Sequence, residues 1–426
     1  MVTNKNNITV LGAVSLGVGS MVGAGIFALM GEAGAIAGHA TYISFLIGGV
    51  IALSSGYSYA KLGSKFPSSG GVIEYLFQGF GKSTLAASLS VLFLISTIIQ
   101  MSMVSKTFGG YASSLFESTP TSWLNNLLTS LVIVFFVFLN IIGSKAVSKA
   151  ESYIVAVKLI ILLTFMVAGL SFVHWDNFTV SSYPSTNNIL GSLAITYFPY
   201  TGFSVITNTA GDMVNPKKQL PRAIFIAILL TILLYVGLTF VVFGNLSIDD
   251  VIKYKETALA QAAKPIFGNL GFLLITVAAL LSTSSSLNAN LFSSLNMSKE
   301  ESKDGELSSI FRKKIGKRGT DGLLVIGGLV LLMANFLDLT AIASIGSIAT
   351  LAVTMMTHVG HFKIIKQTGA NKFGILFAIL SNLAAITLFF VYAIQQRQFN
   401  VLWMVLILIL CVVFFEKIYM KSKQSI

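Results

Sequence analysis

Four glycines crowd into residues 17–27, read GVGSMVGAGIF, inside a long apolar run. Glycine costs a helix roughly 1 kcal/mol relative to alanine. This crowding predicts a membrane helix that stops and restarts. Peptide groups freed there must face protein or a polar cavity, because in lipid each costs several kcal/mol unsatisfied. The N–H groups of Gly23, Ala24 and Gly25 would then carry the partial positive charge of a helix start and could hold a carboxylate. The carbonyls of Ser20 and Met21 face the opposite polarity. Residues 194–212, AITYFPYTGFSVITNTAGD, hold a second interruption at Pro199 and Gly202. There the carbonyls of Phe198 and Thr201 could accept from an ammonium. An α-amino acid carries both charges on one carbon, so two broken helices could bind its backbone without a charged side chain. The plainer alternative is that the glycines only permit close helix packing. Phe198 is the aromatic at the second break, either a gate over a bound molecule or ordinary packing.

Lys158 lies in VAVKLIILLTF. A lysine deep in a membrane costs on the order of 2.5–3.5 kcal/mol or more. It is nine residues past Lys149, about 13 Å along a helix, so it can snorkel to the surface. Turned inward instead, it loses water, which works against its charge, and it can load and release a proton. Ser282, Ser285 and Ser286 share one helical face. They can ligate a cation or accept from an ammonium, or simply bond their own i−4 carbonyls.

The elements that must position these groups are read from composition. The 426 residues are 54% hydrophobic and 10% charged, with mean hydropathy +0.82. That excludes a soluble globular protein and indicates a polytopic, all-α membrane protein. Twelve apolar spans are predicted, near 8–31, 39–61, 84–107, 124–143, 152–173, 189–211, 222–243, 269–295, 321–338, 340–361, 373–394 and 399–417. The net charge of +12 is not a nucleic-acid footprint, since Lys and Arg fall in short clusters between spans. With the N-terminus inside, 22 of the 28 Lys and Arg lie on the cytoplasmic side, which places both termini in the cytoplasm. The single cysteine, Cys411, permits no intrachain disulfide, and no cleavable signal peptide is visible. Residues 244–268 read as an outside loop with one amphipathic helix (248–263) ended by Pro265. Residues 296–320 read as a basic, solvated inside loop. Interruptions in spans 1 and 6, five spans apart, point to inverted repeats with a midplane site. The repeats would run about 8–173 and 189–361, with extra helices at about 373–417, all in one membrane domain.

The chain resembles the amino acid–polyamine–organocation (APC) transporters over nearly its whole length. The matching residues are GSMVGAGIF (19–27), FPSSGGVIEY (66–75), FPYTGF (198–203) and NPKKQLPRAI (215–224). SKAESYIVAVKLIIL (148–162), ITNTAGDMVNPKK (206–218) and the serine run make it most similar to proton-coupled members of broad specificity. The resemblance implies a LeuT-like fold, a 5+5 inverted repeat with broken helices 1 and 6 plus two C-terminal helices. It implies carboxylate binding at Gly23, Ala24 and Gly25, and amine binding at carbonyls of Met21, Phe198 and Thr201, with Phe198 as gate. It also implies that the Lys158 ammonium stands where sodium-coupled relatives hold the ion. There it would meet the carbonyls of Gly19 and Val22 and a hydroxyl of Ser282 or Ser285. The proton would be the coupling ion, with no cofactor and no sodium site.

The sequence departs from the family pattern at Gly211–Asp212, where two acids are common, and at DGELS (304–308), which lacks a proline. Span 8 has no tryptophan and no acid is evident for a cationic side chain, which favours small to medium neutral amino acids. His39, His174, His358 and His361 lie near span ends, and no paired intramembrane carboxylate, metal spacing or nucleophile motif marks an enzyme. The expectation is proton-coupled amino-acid uptake across the plasma membrane by alternating access. The alternatives are a proton-independent exchanger, or a receptor or channel of the same fold.

Overall fold

The structure, a computed structural model, describes residues 8–116, 121–142, 145–305, 307–316 and 319–424. The side chains of Ala24, 145–152, 304 and 415–424 lie outside the described set. So do the basic side chains expected to set topology at Lys5, Lys145, Lys149, Lys317, Arg318, Lys417, Lys421 and Lys423.

The chain folds into helices α1 (Val10–Ala37), α2 (Thr41–Lys65), α3 (Val72–Phe80), α4 (Thr84–Ser113), α5 (Ser122–Ile142) and α6 (Lys145–Leu170). It continues through α7 (Thr186–Gly191), α8 (Leu193–Tyr197), α9 (Ser204–Thr207), α10 (Pro216–Asn245), α11 (Ile248–Lys253) and α12 (Ala258–Gln261). The last third holds α13 (Lys264–Asp304), α14 (Asp321–Phe336), α15 (Leu339–Lys363), α16 (Ile365–Thr368), α17 (Lys372–Gln395) and α18 (Phe399–Gln424). Between α13 and α14, Lys314–Ile315 and Gly319–Thr320 pair as a short antiparallel ladder.

Helix starts follow capping chemistry. Thr9 accepts from Gly12 N at 3.1 Å, and Asp338 accepts from Ala341 N at 2.7 Å, each satisfying a donor the first turn leaves open. Among the described residues, nine segments are long and apolar enough to cross a membrane, and one of them contains both α1 and α2. Asp321–Phe336 and Phe399–Phe414 are apolar but shorter. Burial separates centre from rim. The most apolar stretch of α4 is 94% buried, while that of α5 is 22% buried and shows Phe135 and Phe138 at the surface. Helices α1, α4 and α13 make the centre, and α5, α14, α17 and α18 lie outside it.

Three expectations need correction. Helix α1 is continuous through residues 17–27 rather than broken. The 248–263 segment is not one helix but α11, a 3-10 turn at Lys255–Thr257 and α12. Tyr254, at φ −110° and ψ 31°, leaves helical geometry between them. Pro265 opens α13 rather than ending the segment before it, and Gly268, at φ 64°, kinks α13 one turn later. Residues 296–304 are not solvated loop but the end of α13, where Ser298, Glu301 and Ser302 are buried. The interruption expected in span 6 is present. A 3-10 stretch, Phe198–Phe203, separates α8 from α9. Pro199 supplies no N–H there, so the regular ladder cannot run through.

Candidate functional site

The centre of the molecule is the contact between α1 and this 3-10 stretch. Glycines make it possible. A Cβ on Gly25 would collide with Pro199 and the Tyr235 hydroxyl. One on Gly23 would collide with Ser286 and sit 2.6 Å from the Ser282 carbonyl. A Cβ on Gly202 would sit 2.7 Å from Ser20 Oγ and 2.8 Å from Met21 N. The crowding read as a helix break is thus, in α1, the condition for three segments to touch.

Although α1 is continuous, four successive carbonyls accept side-chain donors. Lys158 Nζ donates to Gly19 O at 3.2 Å. Ser286 Oγ donates to Ser20 O at 3.1 Å, and Tyr235 Oη donates to Met21 O at 2.6 Å. Ser282 Oγ donates to Val22 O at 3.2 Å. A carbonyl has two lone pairs and can take a second donor beside its helical one. The donors come from α6, α10 and α13. Lys158 is fully buried and faces α1, so it does not snorkel to the surface. Ser285 is buried on the same helix as Ser282.

The second half of the site is differently occupied than expected. Phe198 is buried and stands against Gly346 of α15, where a Cβ would meet its ring and Ile99 of α4. Its carbonyl accepts from the Thr201 hydroxyl at 2.6 Å. Beside Thr201 is a slit of about 10 Å³, room for roughly one water. Its wall is polar: Ser96, Thr97 and Gln100 from α4, Asn290 and Ser293 from α13, and Thr350 from α15. Gln100 Nε2 and Ser20 Oγ are buried without a partner among the described residues. Sequence reasoning missed Gln100 and Tyr235. The available signal was an amide in the apolar run STIIQMSMV and a phenol in ILLYVGL, since polar groups at membrane depth need a reason.

Val205 and Ser293 also line a second cavity, of about 420 Å³, that opens among Asn208, Asp212, Asn296, Lys299 and Lys303 at the basic end of the bundle. The opposite end is capped. Lys255 Nζ lies 3.5 Å from Glu32 Oε2, and Thr340 Oγ1 donates to the same oxygen at 2.9 Å. Asn125 Nδ2 donates to Glu256 Oε2 at 3.5 Å. Burial pushes the Glu256 carboxyl above its ordinary value, and nearby Lys106 works against that shift. The turn between α11 and α12 is thereby tied to α1 and α5, and Thr340 ties α15 to the same Glu32.

The model of the amino acid permease family matches residues 8–415. This chain belongs to the amino acid permease family. It is an APC-superfamily membrane transporter, not an enzyme. It is 38% identical to an uncharacterized protein of Methanocaldococcus jannaschii over 96% of this chain and 94% of that one. It is 36% identical to the inner membrane transport protein YbaT of Escherichia coli, over 78% of each chain. It is 29% identical to the serine/threonine exchanger SteT of Bacillus subtilis, over 68% of this permease and 66% of that protein.

Proposed function

We propose that this permease couples the uptake of small to medium neutral amino acids to protons through Lys158. The observation that carries the reading is a buried ammonium bonded to Gly19 O, one residue from Ser20 on the helix that packs on the span 6 interruption. A tethered charge that gains and loses a proton there can alter α1 as a bound ion would. When Lys158 is neutral it remains a donor, but its attraction for the Gly19 carbonyl drops, since hydrogen bonds from charged donors are roughly twice as strong. The substrate is read as seated between α1, the 3-10 stretch and α4. Ser20 Oγ and Gln100 Nε2 supply unused hydrogen-bonding capacity, and Phe198 closes over it. Entry requires the slit to widen, so binding and helix movement go together. The polar wall without a carboxylate suits neutral side chains. The basic end is read as cytoplasmic, both termini lie there, the membrane is the plasma membrane, and twelve crossings form two inverted repeats of five plus two.

In proteoliposomes, Lys158→Ala should lose accumulation driven by a pH gradient while counterflow persists. Accumulation by the variant equal to wild type would sink the proton role. An exchanger that uses no proton is the second reading, favoured by the similarity to SteT. Counterflow in the wild type with no pH effect would select it.

A further inference from the structure

Away from this site, a row of buried polar groups runs between α2, α15 and α17. His358 and His361 are fully buried, as are Ser55, Ser58 and Asn382. His361 Nε2 is 2.8 Å from Thr368 Oγ1, and His361 Nδ1 is 2.8 Å from Ser58 Oγ. Ser58 Oγ is also 2.9 Å from His358 Nδ1, and His358 Nε2 is 3.1 Å from Ser55 Oγ. Ser55 Oγ accepts from Asn382 Nδ2 at 3.1 Å and from Tyr197 Oη at 3.5 Å.

Counting hydrogens gives one self-consistent set of donors for this row. With the Thr368 hydroxyl hydrogen on Ile365 O, His361 Nε2 carries a hydrogen and donates, one of the two tautomers these distances allow. Neutral His361 then accepts at Nδ1, which takes the Ser58 hydrogen. Ser58 has none left, so His358 Nδ1–H donates to it, and His358 Nε2 accepts from Ser55. In that set all the bonds point one way, from Tyr197 toward Thr368. Tyr197 precedes Phe198 in the chain. Thr368 lines a cavity of about 510 Å³ at the basic end, with Lys61, Lys65 and Lys217.

We infer that Ser55–His358–Ser58–His361–Thr368 is a proton relay from the span 6 interruption to the basic face. The inference rests on the proton-coupled reading above. A proton arriving at His358 Nε2 releases the one on Nδ1 to Ser58. Ser58 passes its own to His361 Nδ1, and His361 Nε2–H is lost through Thr368 to water. One proton enters and one leaves. Afterwards both rings hold the other tautomer, and the row resets by turning its hydroxyls and exchanging protons. Titratable and charged groups facing the row are Tyr59, whose ring lies 5.6 Å from His358, Tyr197 at the inner end, and Tyr57, Lys61, Lys65 and Lys217 in the cavity.

The test uses full-length protein in proteoliposomes with L-serine as probe, comparing wild type, His358→Gln, His361→Gln and Ser58→Ala. Ser58→Ala keeps both rings and cuts the row between them. Each variant should lose at least tenfold of the accumulation driven by a pH gradient. Counterflow at equal pH should stay within twofold of wild type. Wild-type accumulation in all three variants overturns the relay alone. Equal losses of counterflow and accumulation assign the row a purely structural role and also overturn it. A wild type that accumulates nothing down a proton gradient overturns the coupled reading and the relay with it.

Discussion

Gly25 shows how a single missing carbon organises the centre of the permease. Its neighbours Pro199 and Tyr235 occupy the space a Cβ would need, and Tyr235 is held there by its bond to Met21 O. Gly25→Ala should destabilise the protein by about 1–3 kcal/mol, the usual range for overpacking, and should lower the thermal midpoint in detergent. An unchanged midpoint and unchanged uptake would mean that α1 and the 3-10 stretch separate freely. At this scale the sequence was only half legible. Residue type marked positions 17–27 as special, but glycine serves both breakage and close approach, and only the partner decides between them. The partner here, α10, is more than two hundred residues away. Lys158 was legible as exceptional, but its direction depended on α1 lying beside it.

Among the elements, the turn between α11 and α12 offers the clearest pH response. The Glu256 carboxyl is raised from an ordinary value of 4.5, chiefly by burial. Docking therefore favours the protonated form. The stabilisation is fully present below about 4.5 and is lost as pH climbs through the raised value. Glu256→Gln keeps a neutral partner for Asn125 and should hold the cap docked at every pH. Its thermal midpoint should match wild type in acid and exceed it near neutrality. A constant difference across that range would refute the role. The span 6 interruption could be read in advance because proline removes a donor wherever it stands. The cap could not, because three short pieces around Tyr254 take their shape from docking on α1 and α5 rather than from periodicity. The end of α13 was likewise hidden, since Glu300, Glu301, Lys303 and Asp304 look like loop until Ser298 and Ser302 are seen buried.

Across the whole molecule, one end is tied and the other hollow. Asn296 lines both the 420 Å³ cavity and a neighbouring one of about 470 Å³. Cys411, the chain's single cysteine, is exposed on α18, so Cys411→Ser gives a thiol-free background. In it, Asn296→Cys should react with a membrane-impermeant maleimide applied to the cytoplasmic face and not from the other side. Labelling from outside alone would invert the orientation. Hydropathy made the bundle legible, whereas the cavities come from gaps between helices that no single segment encodes. Movement between the two ends has a mechanical constraint in the four tethered carbonyls of residues 19–22. Helix α1 is a lever with its fulcrum there. Nine residues, about 13 Å, lie on the hollow side, and fifteen, about 22 Å, on the tied side. Any rigid tilt about that pivot moves the capped tip about 1.7 times as far as the other, so an opening at the hollow end is a larger closing at the far one.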